Sequence, residues 1–302
     1  MKKTKMTAIK KSIPLYVLLL PSAILLFCFA YLPLGGLVIA FKDYSPALGI
    51  MKSPWVGMKH FMQFFRSYQF PITLKNTLVL SLYGLLVGTP LPVALALMCN
   101  QMKTKKFKKV FQVITYLPHF ISTMVMCGII LIILSPSNGL IANIMQLMGH
   151  EAPNLMGSAA AFKHVYVWSD VWQHLGWNSI IYLAALSGID PTYYEAAIID
   201  GASTMQKIRH IDLPLIMPTI VVLLVMSAGN ILGVGFEKVF LLQNTLNITS
   251  SEIISTYVYK MGLQSSQYSL STAIGLFNTV VNVIVLLIIN QIAKKKTGAS
   301  LF

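Results

Sequence analysis

From Ile13 to Phe41 the chain runs without a single charged residue. That run exceeds the ~20 apolar residues an α-helix needs to cross a bilayer. The lysines before it, Lys2 to Lys11, raise the alternative of a secretory signal. A signal's apolar core is only about 7–15 residues and ends at a small-residue cleavage site. The run is therefore read as a first membrane helix. Five further apolar stretches follow at roughly 74–99, 110–134, 164–188, 213–236 and 268–292. The expectation is an all-α membrane protein with six transmembrane helices, built as one domain over 1–302. Composition agrees: 56% of residues are hydrophobic and 11% charged, with a mean hydropathy of +0.70, against about 25% charged in soluble domains.

The fourth stretch is the weakest, since it carries His164, Asp170 and His174 and a tryptophan-rich start. Prolines interrupt others: Pro21 and Pro33 in the first, Pro90 and Pro92 in the second, Pro118 in the third. Each removes a backbone donor and kinks its helix. Such breaks are packing irregularities or, in a transporter, walls of the path.

Positive charge sets orientation. Lys2, Lys3, Lys5, Lys10 and Lys11, then Lys103, Lys105, Lys106, Lys108 and Lys109, then Lys207 and Arg209, then Lys294, Lys295 and Lys296 fall on one side, fifteen in all. Eight fall on the other: Lys42, Lys52, Lys59, Arg66, Lys75, Lys163, Lys238 and Lys260. Both termini are expected in the cytoplasm, as an even number of spans requires. The external segment 42–73 holds Trp55, Phe61, Phe64, Phe65, Tyr68 and Phe70. Interfacial anchoring explains such aromatics; docking of an external partner is the sharper alternative.

Net charge is +14, yet the basic residues cluster between apolar runs instead of lining one groove. The expected partner is membrane lipid and not nucleic acid. Cys28, Cys99 and Cys127 lie inside apolar runs without CxxC spacing, so they read as small core hydrophobes with no metal or disulfide. No G-x-x-x-x-G-K-[ST] occurs, so the chain has no phosphate-binding loop of that kind. Gly229, Gly233 and Gly235 lie in the fifth span and read as close helix packing.

The turn between the fourth and fifth spans, about 190–214, has legible local physics. Asp190 suits an N-cap and Pro191 a first helical position. Gly201 supplies a left-handed stop after Tyr193–Asp200. Ser203 and Gln206 have capping-box spacing for a second short helix. Asp212 is placed to cap the fifth span, with Pro214 in its first turn. Within it stand Glu195, Ala196 and Ala197, three residues, Gly201, nine residues, then Ile211, Leu213 and Pro214. The pattern resembles the signature loop of binding-protein-dependent ABC importer permeases, without departure at those seven positions. An ordinary amphipathic interfacial loop is the bland reading.

A second resemblance runs from Tyr31-Leu-Pro-Leu-Gly-Gly through Lys42-Asp-Tyr44 to Trp55-Val-Gly57 and Phe61, with Tyr116-Leu-Pro-His119 later. It is similar to the LplB-type oligosaccharide permeases of the maltose-permease superfamily. The resemblance implies a type I ABC importer permease fold and an oligosaccharide cargo. It also implies a second homologous permease, two cytoplasmic ABC ATPases and an extracytoplasmic lipoprotein that binds sugar. The ATPase-coupling residues would be Glu195, Ala196, Ala197, Asp200, Gly201, Ile211, Leu213 and Pro214. No catalytic residue, metal or cofactor is expected in this chain; ATP and Mg would be bound by the partner ATPase.

Sugars are held by aromatic stacking and hydroxyl hydrogen bonds, and polar groups inside a bilayer face cavities or partner helices. Trp168, Trp172, Ser179 and Tyr182 share one helical face. Ser227, Asn230 and Glu237 are expected to share another, and Asn278 and Asn282 lie one turn apart. Trp172, Tyr182, Asn230, Glu237, Asn278 and Asn282 are the expected path residues, against interhelical hydrogen bonding for the Asn side chains and interface anchoring for the tryptophans. An ion-coupled secondary transporter would show inverted repeats and a buried charge. An intramembrane enzyme would show clustered acids or a metal set. Neither is evident in the sequence.

Overall fold

The computed structural model describes residues 2–298, 300 and 301. The side chains of the basic arm (Lys2, Lys3, Lys5, Lys10 and Lys11) lie outside the described part, as do Met1, Ala299 and Phe302. Among the described residues the secondary structure is helical, apart from one isolated bridge between Lys42 and Trp55. In chain order the helices are α1 (Lys2–Leu26), α2 (Gly49–Lys52), α3 (Lys59–Arg66), α4 (Gln69–Gly88), α5 (Pro90–Asn100), α6 (Lys105–Tyr116), α7 (Thr123–Ile133) and α8 (Leu140–Leu147). There follow α9 (Ala159–Ser187), α10 (Pro191–Ile199), α11 (Thr204–Lys207), α12 (Leu213–Ala228), α13 (Phe236–Leu242), α14 (Ile248–Ser251), α15 (Ile254–Tyr259) and α16 (Tyr268–Thr297).

Among the described residues, four helical stretches are long and apolar enough to cross a membrane: Leu15–Phe41, Gln69–Asn100, Thr204–Ala228 and Tyr268–Thr297. A bent pair, Lys105–Phe120 with Thr123–Ile133, turns through 98° at its break. The expected third span is thus no straight rod. Pro118 opens a tight 3-10 turn over Leu117–Phe120, and Ser122 caps a fresh helix by accepting from the Val125 N–H at 3.4 Å. The expected fourth span exists as α9, 29 residues or about 44 Å long, but it is too polar to join the four. The fifth ends at Ala228, short of the expected 236: residues 229–235 are irregular. Ser227, Asn230 and Glu237 therefore do not share a helical face, and Gly233 and Gly235 lie in the break rather than in a packed helix.

The chain divides into two compact units. In the first, residues 1–66 and 259–276, α1 passes into a π-turn at Phe27–Tyr31 and a 3-10 stretch at Leu32–Phe41, where Pro33 sits in the first turn. Ala40, Phe61 and Ala273 form a small core with Phe41 and Leu276. Phe61 and Phe64 are buried there, so they serve packing rather than interfacial anchoring, whereas Trp55 stays exposed.

The second unit, residues 67–258 and 277–302, is organised around α9. One half of α9 places Phe162, Tyr166, Val167 and Val171 against Leu80, Met126, Cys127 and Val239. The other places Tyr182, Leu183 and Leu186 against Val93, Ala96, Cys99 and Ile216. A Cβ at Gly176 would strike the Thr115 backbone carbonyl and the Tyr116 ring, so only glycine lets α9 cross α6 this closely. Where α9 packs against these neighbours, polar residues intolerable in lipid, such as Gln173 and Ser179, are accommodated on its covered side. Cys99 and Cys127 are buried, and all three cysteines are free.

Candidate functional site

The turn 190–214 folds into two short helices from local interactions alone. Asp190 caps α10 by accepting from the Thr192 N–H at 2.9 Å, which holds its carboxyl below the usual range. Gly201 sits at φ +74°, with its N–H donating to Ile198 O at 3.0 Å and that of Ala202 to Ala197 O at 2.8 Å. This is a Schellman stop, in which a residue at positive φ lets two backbone donors fold back onto the last helical carbonyls. At α11 the Ser203 N–H donates to Gln206 Oε1 at 2.7 Å and the Gln206 N–H to Ser203 Oγ at 3.3 Å, a complete capping box.

On α10 only Tyr194 and Ala197 are even partly covered. Glu195, Ala196 and Asp200 are exposed, with Ile198 at 62% and Ile199 at 85% beside them. Gly201 and Pro214 are exposed, and Ile211 and Leu213 half-buried. A rigid, doubly capped helix thus presents an open face of small, apolar and acidic side chains.

Asp212 departs from expectation. The backbone runs helically through a π-turn, Ile208–Asp212, straight into α12, so no helix start remains to be capped and Asp212 makes no capping bond. The side chain is wholly buried. Its carboxylate accepts from Gln101 Nε2 at 2.8 Å and from the Tyr194 hydroxyl.

Deeper in the same unit is a cavity of about 250 Å³. Asp170, His174 and Asn178 of α9 line it at i, i+4 and i+8, facing Ser227 and Asn230 and the Thr89–Pro92 break between α4 and α5. Of the prolines in the second span, Pro92 therefore stands at a cavity wall. An adjoining space of about 150 Å³ includes Tyr182. Lys238, nearly all buried, reaches Asp170 Oδ1 at 3.3 Å, and His174 Nδ1 lies 3.5 Å from the same oxygen. The sequence reading missed this group: polar residues at helical spacing along α9 were its signal.

The remaining expected path residues lie elsewhere. Trp172 is exposed, 54%, and absent from the cavity wall, as is Glu237, exposed in the first turn of α13. Trp168 is also exposed while Ser179 and Tyr182 are buried, so their common face passes through different surroundings. Asn282 Oδ1 accepts from the Leu232 N–H at 2.9 Å and Asn278 Nδ2 donates to Leu232 O at 3.4 Å. Ser81 Oγ donates to Ile231 O. These side chains re-satisfy backbone freed by the break at 229–235, as a non-helical stretch at membrane depth requires.

Apolar spans, a polar cavity beside a broken helix, and an exposed two-helix turn define a membrane transport permease. The chain belongs to the family described as "Binding-protein-dependent transport system inner membrane component", whose model matches residues 88–298. It is 42% identical over 93% of its length, and 88% of the relative's, to "Polygalacturonan/rhamnogalacturonan transport system permease protein YteP" of Bacillus subtilis. It is 41% identical over 98% of its length to "Protein LplB" of the same organism, covering 93% of that protein. Among solved structures, it matches a chain from the crystal structure of a bacterial ABC transporter involved in import of the acidic polysaccharide alginate, with a TM-score of 0.90 and 41% identity over 97% of this chain and 99% of that one. A second structure of a bacterial alginate ABC transporter, in complex with a pentasaccharide-bound periplasmic protein, matches with a TM-score of 0.90, 40% identity and coverage of 98% and 99%. The type I ABC importer permease fold is thus established, and the chain is an importer permease subunit of the inner membrane.

Proposed function

We propose that this subunit gives an oligosaccharide alternating access across the membrane, driven by a separate ATPase that grips α10. The observation that carries the reading is the signature spacing Glu195 to Pro214 realised as an exposed, doubly capped two-helix turn. A helix with small residues at 196 and 197 seats closely in a groove, and Glu195 is free to pair with a basic partner side chain. When two ATPases close on ATP, the seated helix moves and the attached spans follow. Catalysis then resides in the partner, which holds ATP and Mg, and this chain is non-catalytic.

The cargo class rests on two of the named relatives, the permease named for polygalacturonan/rhamnogalacturonan transport and the importer of the acidic polysaccharide alginate, and the proposed cargo is an acidic oligosaccharide. The polar cavity at Asp170, His174, Asn178 and Asn230 is the proposed passage, with Tyr182 beside it; Trp172, Glu237, Asn278 and Asn282 act outside that wall. Six spans with both termini cytoplasmic remain the proposed topology. Gln101 meeting Asp212 supports it by bringing the loop before Lys103 and the turn 190–214 to one end. The proposed assembly adds a second permease, two ATPases and a sugar-binding lipoprotein.

Glu195→Ala tests the coupling role. Losing one partner of a desolvated charge pair costs about 3–5 kcal/mol, so uptake of a labelled galacturonate or alginate oligosaccharide by cells bearing the variant should fall at least about tenfold. Undiminished uptake, with equal amounts of protein in the membrane, contradicts it.

A further inference from the structure

Asp212 occupies the variable position between Ile211 and Leu213 of the signature, yet no residue of the turn is more deeply buried. A carboxylate taken out of water needs partners, and the two that reach it are neutral. Gln101 Nε2 donates to one oxygen at 2.8 Å and the Tyr194 hydroxyl to the other. Those partners come from different elements: Tyr194 from α10, Gln101 from just after α5, while Asp212 itself ends the π-turn that leads into α12. Asn100 at the end of α5 also interacts with the Tyr194 hydroxyl.

Tyr194 stands directly before Glu195 and, with Ala197, provides the only covered surface of α10. Its hydroxyl makes the side-chain hydrogen bond that links this helix to the membrane-embedded body. The rest of α10 is joined to that body by the chain at either end. A helix pulled by an external partner transmits force along such a bond, whereas a loose one would swing without tilting the spans. Burial and the adjoining Asp212 push the Tyr194 phenol up to about 12. A raised value means the protonated donor is favoured in the fold. The bond's stability is therefore complete below the ordinary tyrosine value of about 10 and lost only as pH rises from there through about 12.

We infer that Asp212, holding Tyr194 and Gln101 together, is the positioning residue that converts movement of the coupling helix into movement of α5 and α12. The inference rests on the coupling reading above and concerns how motion leaves α10, not how the ATPase grips it.

The test uses the assembled transporter in lipid nanodiscs, with Cys28→Ser and with Ser227→Cys in the cavity wall as a reporter. Labelling by a hydrophilic maleimide is compared without nucleotide and with ATP and vanadate. A nucleotide-driven switch of access changes labelling by about tenfold in the parent, and Tyr194→Phe or Asp212→Leu reduces the change to under about twofold. Both retain co-purification with the ATPase and ATP hydrolysis. The double variant is no worse than Asp212→Leu alone, because that substitution already removes the acceptor of the Tyr194 hydroxyl. Should Tyr194→Phe not assemble, Gln101→Leu serves in its place and is expected to narrow the change as well. A full nucleotide response in these variants, or losses that add, overturns the clasp. Glu195→Ala separates the two readings. If it abolishes the response while Tyr194→Phe does not, the clasp alone fails. If neither Glu195→Ala nor Tyr194→Phe alters the response, or the parent shows none, the coupling reading fails with it.

Discussion

At the residue scale, side chains in this chain repeatedly stand in for missing backbone partners. Asn247 shows it most fully. Its amide donates to Met156 O at 3.0 Å and Leu242 O at 3.1 Å, and its carbonyl accepts from the Asn244 N–H at 3.0 Å and the Ser251 hydroxyl at 2.9 Å. Asn247-Ile-Thr249 matches a glycosylation sequon by letter, but Asn247 is wholly buried, so the match carries no modification. Asn247→Ala would leave several buried groups unpaired at once, each costing about 1–3 kcal/mol. The purified protein in detergent should melt several degrees lower; an unchanged melting temperature would contradict this account of the site. Asp212 differs, since its partners are the Gln101 and Tyr194 side chains, and the N-cap role expected of it does not form. Its position before Leu213 and Pro214 fits an N-cap, but a cap needs a break in the helix, and the π-turn leaves none.

At the element scale, what was legible depended on whether the deciding interaction was local. Asp190, the Ser203–Gln206 box and the Gly201 stop act within a few residues, and each forms as its spacing implied. Spans one, two, five and six announce themselves by apolar length. The 98° bend at Ser122 and the early end of α12 at Ala228 did not, because Pro118 and the glycine-rich stretch state only that a break is allowed. The partners that satisfy the 229–235 break, Ser81, Asn278 and Asn282, come from distant helices, as does Gln173, which donates to Ile121 O beside the bend. The polar stripe of α9 was likewise read as a weak span, since its neighbours are invisible in the sequence. Gly176→Ala tests the central crossing. Its methyl would meet backbone at Thr115, which cannot rotate away, so overpacking should cost about 1–3 kcal/mol. Thermal melting of the purified protein checks this, and a neutral result would mean that α6 and α9 do not cross as described.

At the scale of the whole molecule, the account requires the basic loop at 103–109 and the turn at 190–214 to face the cytoplasm, where an ATPase can reach α10. Excess lysine and arginine on that side supports the proposed orientation, and the hydrogen bond from Gln101 to Asp212 joins the two loops independently of that count. The most direct measurement places a cysteine at Ile199, the most exposed large hydrophobic residue of α10, in a Cys28→Ser background. An impermeant maleimide should label it in inverted membrane vesicles and not in right-side-out ones, and a short cross-linker should capture an ATP-hydrolysing subunit. Labelling from the outside, or no ATPase captured in native membranes, would contradict the importer mechanism at its foundation.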